Sequence, residues 1–560
     1  MDYRAKIVHL LAKELSLSPE EISTLVVSPP DPALGNYAFP CFKLGRNPKE
    51  EAEKLKKKLI LPAFISKTEV VGPYLNFFFN TSIIAKEVFA EIKKQKKQYG
   101  VGKSKKKMVI EYCGPNTNKP LHLGHVRNMA LGNAMCRILS FQGNKVHPVN
   151  IINDRGVHIC KSMLAYQKWG NNQKPDKKSD HFVGDFYVLY AQRAAKDPTL
   201  ETEVQQMLVA WEKNDPKVRA LWKKMNSWVL KGFAQTYKRF GIAFDKEYFE
   251  SQLYEAGKEV ALEGLKKGVF VKDEKNSIVA PLEVQGLPNK VVLRGDGTSV
   301  YVTQDLYLAQ QRYEDYHFDK MMYVVASEQQ LHFQQLFKIM ELLQRPHASK
   351  LYHLSYGMVH LPTGRMKSRE GTVIDADEIM DEMKALAEVE IKKRYEHLSE
   401  KEVHQRAEII GLAAIKFFML RTDAHRDIVF NPEESLSFEG ETGPYVQYTH
   451  ARACSILRKA RKLPGKANTS LLEKKPEQNI IALLMKFPEI VDDTATHYRP
   501  HVLCRYLIEL SQSFNEFYHS SQVISDDHEL MKARLGLVDS TRQVLENGLH
   551  LLGIEAPKEM

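Results

Sequence analysis

The sequence predicts a multidomain protein of the α/β class: a central part on a parallel sheet with a helical insertion, a small N-terminal α+β domain and a C-terminal helical bundle. The chain has 560 residues, 43% hydrophobic and 27% charged, which is enough for several packed domains. A strand–helix–strand pattern occupies Met108–Ile152, and the chain after residue 375 is almost entirely helical in periodicity. We therefore expect domains at residues 1–105, 106–425 and 426–560, with the insertion at about 160–295.

Composition narrows the class of protein. The net charge of +11 favours a polyanionic partner such as nucleic acid, although a diluted charge could serve solubility alone. No stretch approaches the ~18 uncharged apolar residues of a membrane helix, and charged residues interrupt Met1–Leu10. We expect no membrane partner, no export and a cytoplasmic location. None of the six cysteines lies within four residues of another, which excludes CxxC zinc motifs and predicts no structural metal.

The first 100 residues combine a lysine-rich helical stretch, Glu50–Leu59, with strand-like pieces such as Tyr74–Phe79. This mixture predicts the small α+β unit. Eight lysines then lie in Lys93–Lys107, together with Gly100 and Gly102. Such a run is typical of a solvated linker or exposed hinge, and direct contact with RNA is the alternative.

The central part begins with a βαβ unit. Met108–Tyr112 reads as a buried strand, Gly114–Pro120 as a turn, Leu123–Gln142 as a helix and Val146–Ile152 as the next strand. This order starts a parallel nucleotide-binding sheet. After the largely helical insertion, strands are expected again at Val300–Thr303 and at Met322–Ala326.

A His-Leu-Gly-His sequence, residues 122–125, stands at the junction of the first strand with its helix. A helix N-terminus offers free N–H groups and partial positive charge, and two imidazoles three residues apart add donors on the same turn. Gly124 would let a phosphate approach the backbone closely. The pattern therefore predicts a phosphate site, and two surface histidines at a helix cap are the alternative.

The segment Glu111–Arg127 reads E-Y-C-G-P-N-T-N-K-P-L-H-L-G-H-V-R. It resembles the signature of class I aminoacyl-tRNA synthetases and, among them, the arginyl enzymes, which typically read E-x-S-S-P-N-x-x-K-P-x-H-x-G-H-x-R. Cys113-Gly114 replaces the serine pair. The Arg-Met-Lys-Ser-Arg-Glu-Gly sequence at residues 365–371 resembles a degenerate form of the second class I signature, the K-M-S-K-S loop. The resemblance implies a Rossmann-type catalytic domain.

The same resemblance implies the residues of the reaction centre. A cation must lie near the leaving pyrophosphate, and the sequence does not rank Lys119 against Lys367 for that role. The implied catalytic residues are His122, His125, Lys119 and Lys367. The implied ATP-binding residues are His122, Gly124, His125, Met366, Lys367 and Ser368.

An arginine side chain calls for planar carboxylates and neutral acceptors that match its fork of donors. Tyr301 and Asp305 are four residues apart, so they would share one face if this segment is helical. The family's Y-x-x-x-D at this place holds the substrate side chain. The implied arginine-binding residues are Glu111, Gly114, Pro115, Asn116, His125, Glu250, Tyr301, Asp305 and Gln329.

The C-terminal part carries Tyr445, Tyr448 and Arg452 at i, i+3 and i+7, on one face of an expected helix. Aromatic rings interleaved with arginine suit stacked single-stranded bases, and core aromatics are the alternative. The resemblance implies that this region binds the anticodon with Met560 nearby, and that Tyr74 and Asn76 contact the outer corner of the tRNA.

The resemblance as a whole implies ATP-dependent activation of L-arginine and its transfer to the 2′-hydroxyl of the terminal adenosine of arginine tRNA. The expected partners are arginine tRNA, L-arginine and ATP with Mg²⁺, and the expected state is a monomer. Two alternatives remain. One is a class I synthetase for another amino acid, or a nucleotidylyltransferase with the same histidines. The other is a synthetase-like tRNA-binding protein without charging activity.

Overall fold

The computed structural model describes residues 2–362, 374–395, 397–460 and 467–560. Its N-terminal α+β domain is an antiparallel sheet of three strands with four helices. The sheet order is β1-β3-β2, and Gly72, with a positive φ of 57°, makes the turn between the last two strands. The elements in chain order are α1 (Tyr3–Ala12), α2 (Pro19–Leu25), β1 (Tyr37–Pro40), α3 (Pro48–Lys58), β2 (Ile65–Val71), β3 (Tyr74–Phe79) and α4 (Thr81–Gln95).

The lysine-rich run that follows is not a free hinge. Its eight lysines are exposed, but the run starts within α4, and Tyr99 in its middle is buried. The Tyr99 hydroxyl donates to the carbonyl of Leu484 at 2.9 Å. In a regular helix that carbonyl would accept from residue 488, which is Pro488 and has no N–H. The expected linker is thus anchored to the C-terminal bundle by the carbonyl that a proline leaves free.

The central sheet has five strands, all parallel, in the order β11 (Leu351–Tyr356), β10 (Lys320–Ala326), β4 (Lys107–Glu111), β5 (Lys145–Ile152) and β6 (Lys246–Phe249). Val109 and Ile110 are completely buried, because helices cover both faces of a parallel sheet. The elements of this central part, in chain order, are β4 (Lys107–Glu111), α5 (Leu123–Phe141), β5 (Lys145–Ile152), α6 (Val157–Trp169), α7 (Ser179–Ala194), α8 (Thr199–Glu212), α9 (Pro216–Phe240), β6 (Lys246–Phe249), α10 (Glu250–Lys266), β7 (Val271–Lys272), β8 (Ile278–Ala280), β9 (Lys290–Leu293), α11 (Tyr301–Tyr316), β10 (Lys320–Ala326), α12 (Gln330–Leu342), β11 (Leu351–Tyr356) and β12 (Val359–His360).

The structure differs from the sequence prediction in two places here. The stretch expected as a helical insertion does contain α6–α9, but β6 within it is the edge strand of the central sheet, and β7–β9 form a small antiparallel sheet. The strand expected at Val300–Thr303 is the start of helix α11. Its β-branched residues suggested a strand, whereas the backbone N–H of Val300 donates to the Thr303 hydroxyl at 2.9 Å and caps the helix.

The rest of the described chain is almost entirely helical, as predicted. Its elements are α13 (Ala376–Arg394), α14 (Glu400–Leu420), β13 (Ile428–Val429), α15 (Pro432–Ser435), α16 (Gly443–Lys459), α17 (Lys475–His497), α18 (Pro500–Ser520) and α19 (His528–Leu551). Helices α13 and α14 precede residue 426 and fall in the predicted central domain, whereas α15–α19 fall in the predicted C-terminal bundle. Helix α5 of the central part packs against α14, α17, α18 and α19. The helix that begins at the two histidines therefore packs between the central sheet and three helices of the bundle. Within the described part of the chain, no helix is both long and apolar enough to cross a bilayer.

Candidate active site

A cleft of about 690 Å³ opens where β4 and β10 end and α5 begins. The carboxyl ends of parallel strands meet at this edge, which is the usual ligand position in such sheets. His122, Gly124 and His125 line it from the helix, and Glu111 and Gly114 line it from the strand. The predicted phosphate-binding histidines therefore share one cavity with Glu111 and Gly114 of the predicted arginine-binding residues, whereas Glu250, Tyr301, Asp305 and Gln329 do not line it.

The two histidines hold each other in a fixed orientation. His122 is the N-cap of α5, and its Nδ1 accepts from the backbone N–H of Gly124 at 3.2 Å. The Nδ1 of His125 accepts from the backbone N–H of His122 at 3.1 Å, and the ring centroids are 3.9 Å apart. Because each Nδ1 is an acceptor, each neutral ring carries its hydrogen on Nε2, which has no partner among the described residues and can donate to a ligand.

Both imidazoles are uncharged near neutral pH. Burial, with the charge of Lys119 as a smaller second cause, lowers the pKa of His122 to about 4. Burial also holds the pKa of His125 well below its usual range, with His122 and Lys119 adding to the effect. The histidines are therefore neutral donors, and among these three groups the positive charge for a phosphate resides on Lys119.

Lys119 is half-buried in the turn before α5, and burial lowers its pKa. This position lets its ammonium approach a bound phosphate with little water around it. The second candidate cation, Lys367, lies outside the described residues, as do Met366 and Ser368.

The backbone between β4 and the histidines takes an unusual path. Cys113 and Gly114 have φ values of 83° and 63°, the left-handed region that a residue with a side chain rarely adopts. The N–H of Cys113 donates to Oδ1 of Asn128, and the N–H of Gly114 donates to Oδ1 of Asn150 at 3.0 Å. Burial raises the pKa of the Cys113 thiol to about 12, so that the thiol is not a nucleophile.

Asn128 and Asn150 were not found by sequence reasoning. Asn128 also donates from Nδ2 to the carbonyl of Val324 at 2.7 Å and so ties α5 to β10. Asn128 interrupts an apolar face of helix α5, and Asn150 interrupts an apolar face of strand β5. A polar residue on such a face is the signal by which the sequence could have revealed them. A buried polar side chain in such a position needs a partner, and here the partner is the strained turn.

Glu111 is buried at the end of β4 and forms an ion pair with the completely buried Arg312 of α11. Its carboxylate is therefore already engaged by a guanidinium of this chain. Burial raises the pKa of Glu111; the charge of Arg312 opposes this rise and the charge of Asp305 adds to it. Asp305 thus lies close enough to act on a carboxylate that lines the cleft.

Three of the predicted arginine-binding residues come together at the starts of α10 and α11. Glu250 is the buried first residue of α10, and its Oε1 accepts from Nε2 of Gln304 at 3.0 Å. Asp305 accepts through Oδ2 from Nε2 of His332 at 2.7 Å. Burial, and after it the charges of Glu250 and Asp305, raise the pKa of Tyr301, whose residue surface is 69% exposed. The phenol and the two carboxylates form one acidic locus.

The remaining predicted contacts lie on loops at the same edge of the sheet. Asn116 is exposed and forms a single parallel bridge with Asn153. Pro115 is buried, and its carbonyl accepts from the N–H of Asn153 at 2.9 Å. Gln329 is exposed in the turn directly after β10. All three follow central strands, as a shared ligand site requires.

A second cleft, of about 810 Å³, lies between α13, α16 and α18. Tyr445, Tyr448 and Arg452 line it and are half-buried. The Arg452 guanidinium lies 4.7 Å from the centroids of both Tyr448 and Tyr518. An arginine between two rings on a concave wall is an arrangement that can accept a flat base.

The other predicted tRNA contacts differ in accessibility. Tyr74 is exposed and packs edge-on against the exposed Phe42, with ring centroids 5.8 Å apart. Asn76 is 2% exposed, because it lies on the middle strand of the N-terminal sheet. Met560 is 6% exposed, because the chain end is held against α16, where Nε2 of Gln447 donates to the Glu555 carbonyl at 2.7 Å. Neither Asn76 nor Met560 presents a free side chain to solvent.

Comparisons with known proteins agree across the chain. Family models match three regions: the "tRNA synthetases class I (R), catalytic domain" at residues 88–432, the "DALR anticodon binding domain" at residues 446–560, and the "Arginyl tRNA synthetase N terminal domain" at residues 1–79.

Relatives and solved structures give the same result. The arginine–tRNA ligase of Treponema denticola is 45% identical over 559 residues, covering 95% of this chain and 94% of its own length. That of Bacteroides thetaiotaomicron is 42% identical over 555 residues, covering 93% and 92%. The solved arginyl-tRNA synthetase of Thermus thermophilus has a TM-score of 0.83 at 28% identity and covers 96% of each chain. With this agreement in sequence, fold and cleft, the chain belongs to the arginyl-tRNA synthetase family of class I.

Proposed function

We propose that this protein charges arginine tRNA with L-arginine at the expense of ATP. One observation carries the proposal: neutral, oriented histidines at a helix N-terminus share an edge of the sheet with the acidic locus of Glu250, Tyr301 and Asp305. The first half suits a triphosphate and the second suits a guanidinium. ATP enters as its magnesium complex, with the ion on the phosphates.

In the first step an oxygen of the arginine carboxylate attacks the α-phosphorus of ATP. A new phosphorus–oxygen bond forms, the bond to the β-phosphate oxygen breaks, and pyrophosphate leaves with that electron pair. Nε2–H of His122 and of His125 donate to phosphate oxygens, and Lys119 supplies positive charge, with Lys367 as the second candidate. Neutral donors stabilise the charge that develops on the phosphate, and they need no proton transfer of their own.

In the second step the 2′-oxygen of the terminal tRNA adenosine attacks the arginyl carbonyl carbon. The bond from that carbon to the phosphate oxygen breaks, AMP leaves with that electron pair, and the phosphate takes up the proton of the 2′-hydroxyl. Glu250 and Asp305 hold the guanidinium, with Tyr301 closing over it. Asn116, Gln329 and His125 hold the carboxylate and amino end. Glu111 pairs with Arg312 and so fixes helix α11, which carries Tyr301 and Asp305. Gly114 and Pro115 contact the arginine through their backbone atoms.

The tRNA side follows the division of the chain at residues 1–105, 106–425 and 426–560. Tyr445, Tyr448 and Arg452 receive anticodon bases in the second cleft, and Tyr74 contacts the outer corner of the tRNA. Asn76 and Met560 are buried, so they contribute to tRNA binding by packing within the N-terminal and C-terminal domains rather than by direct contact. We place the enzyme in the cytoplasm, in keeping with six cysteines that are all free thiols, and propose that it acts as a monomer.

The test is ATP–pyrophosphate exchange with each amino acid, with and without tRNA. We expect exchange with arginine in the presence of arginine tRNA. Exchange with lysine but not arginine would end the assignment of substrate. Tight binding of tRNA with no exchange and no charging would favour the alternative of a tRNA-binding protein without activity.

A further inference from the structure

A charged cluster lies beside the active site and takes no part in the steps above. It joins the start of α7 to the start of α13 and is here named the α7–α13 cluster. Its members are Lys178, Asp180, His181, Thr236, Asp375 and Asp377.

Lys178 is the centre of this cluster. Its ammonium donates to Oδ2 of Asp180 and to Oδ2 of Asp377, both at 2.7 Å, and to the Thr236 hydroxyl at 2.8 Å. Asp180, His181 and Asp377 are near enough to one another to hold a metal ion. The lysine ammonium already supplies a cation to both carboxylates, so the arrangement is an internal ion-pair network.

Asp377 receives hydrogen bonds from two helices of the insertion. Besides Lys178, Nε2 of His181 lies 3.1 Å from its Oδ2, and the Thr236 hydroxyl of α9 donates to it at 3.2 Å. Burial alone would raise its pKa, but the hydrogen bonds from His181 and Lys178 outweigh burial and lower it to about 2. Asp377 is therefore ionised and well held throughout the neutral range.

The segment just before Asp377 is paired with the turn that carries the catalytic histidine. The N–H of Leu123 donates to the Ile374 carbonyl at 2.9 Å, and the N–H of Ala376 donates to the Leu121 carbonyl at 2.8 Å. Asp375 lies opposite His122 in this antiparallel bridge. The position of the His122 backbone thus depends on residues 374–376.

Helix α7 also touches this turn directly. A Cβ added to Gly184 of α7 would lie 2.8 Å from Cδ of Pro120, so the helix and the turn are in close contact. On its other side a Cβ added to Gly232 of α9 would lie 2.2 Å from Oδ1 of Asp180. The cluster is packed on both sides and has little room to rearrange.

We propose that Asp377 is a positioning residue for ATP activation: held by Lys178, His181 and Thr236, it fixes residues 374–376 against residues 121–123 and so fixes His122. This inference rests on the proposed function. It gives the insertion helices a role in the chemistry, because their side chains hold one wall of the phosphate site.

The test compares Asp377→Asn and Thr236→Val with Asp381→Asn. Asp381 lies on the same helix, its side chain is 71% exposed, and it pairs with Arg239 at 2.6 Å, so it serves as a matched control. Pyrophosphate exchange with tRNA gives kcat and the KM values for ATP and arginine. Thermal unfolding and tRNA binding report on folding.

We expect Asp377→Asn to lower kcat by about 10- to 100-fold, since small displacements of reacting groups have effects of that size. Thr236→Val, which keeps every charge, should lower kcat by about 2- to 10-fold. The KM for arginine and the tRNA affinity should stay within twofold, and Asp381→Asn should match the wild type.

Two results would overturn the inference alone: folded Asp377→Asn and Thr236→Val that both behave as Asp381→Asn, or a loss of kcat that only follows the loss of folded protein. A wild type that shows no arginine-dependent exchange would overturn the proposed function itself.

Discussion

Replacement of Glu250 by glutamine isolates the charge of the guanidinium pocket. The change keeps the shape of the side chain and removes its charge. The Glu250 carboxylate accepts from Gln304 at 3.0 Å, while the nearest atom of Arg155 is 4.0 Å away, beyond hydrogen-bond distance. A substrate guanidinium would therefore meet a carboxylate that still has acceptor capacity.

The expected magnitude follows from that contact. A hydrogen bond to a charged group contributes about 1.5–3 kcal/mol, which corresponds to roughly a 10- to 150-fold change in affinity. We expect Glu250→Gln to raise the KM for arginine by that factor and to leave kcat within a few-fold, because the contact is made before and during the reaction.

The pH dependence of arginine binding gives a second, independent test of the charge on Glu250. Burial raises the pKa of Glu250 to about 7, with Gln304 and Arg155 opposing the rise. The ionised carboxylate binds a cation and the protonated form does not. Affinity should therefore be complete above pH 7 and fall as pH decreases through 7, by up to about tenfold per pH unit. In Glu250→Gln this dependence should vanish.

The assay is arginine-dependent pyrophosphate exchange between pH 6 and 8.5, with saturating ATP and tRNA. Glu259→Gln, an exposed glutamate on the same helix α10, is the control and should behave as the wild type. A Glu250→Gln enzyme with an unchanged KM for arginine, or one that retains the wild-type pH profile, would refute the placement of the guanidinium beside Glu250.

Three further predictions follow from other contacts. His122→Ala should lower exchange kcat by about 10²- to 10³-fold, as loss of one preorganised donor does, with tRNA affinity nearly unchanged; an active variant would contradict the role of its Nε2. Arg452→Ala should raise the Kd for arginine tRNA by about 5- to 100-fold in filter binding, because a stacking wall is lost; an unchanged Kd would exclude this cleft as a base site. Tyr99→Phe should lower the free energy of unfolding by about 1–3 kcal/mol in urea titration, since the Leu484 carbonyl loses its partner; Tyr395→Phe, at an exposed position, should have no effect, and equal effects would argue against that hydrogen bond.

Local sequence patterns were sufficient to predict the βαβ unit at the centre of the fold. The predicted strand–helix–strand unit corresponds to β4 (Lys107–Glu111), α5 (Leu123–Phe141) and β5 (Lys145–Ile152), with ends that differ by at most one residue. Hydrophobic periodicity, Gly143 and the turn residues before His122 are all local signals, so a single sequence reveals them. The histidines are part of the same local pattern.

Long-range pairing could not be predicted. The partner of Glu111, a predicted arginine-binding residue, is one example: Arg312 is 201 residues away and comes close only when α11 packs on the sheet. The dependence of the Cys113-Gly114 turn on Asn128 and Asn150 is likewise a tertiary contact. Sequence identifies which polar residues are present, but packing decides which of them are already satisfied.

The same reason explains two features of the layout that local pattern did not reveal. Val300–Thr303 has the composition of a strand, but a side-chain cap and the packing of α11 on α10 make it helical. The lysine run has the composition of a linker, yet one buried tyrosine in it satisfies a carbonyl freed by Pro488 in a helix nearly 400 residues away. A local sequence pattern does not show which distant residues will become hydrogen-bond or packing partners.

The most direct measurement is a crystal structure of the protein with arginine and a non-hydrolysable ATP analogue. We expect the guanidinium within about 2.6–3.2 Å of carboxylate oxygens of Glu250 and Asp305, and phosphate oxygens at the same range from Nε2 of His122 and His125. A guanidinium bound away from both carboxylates, or phosphates that avoid both imidazoles, would contradict the account.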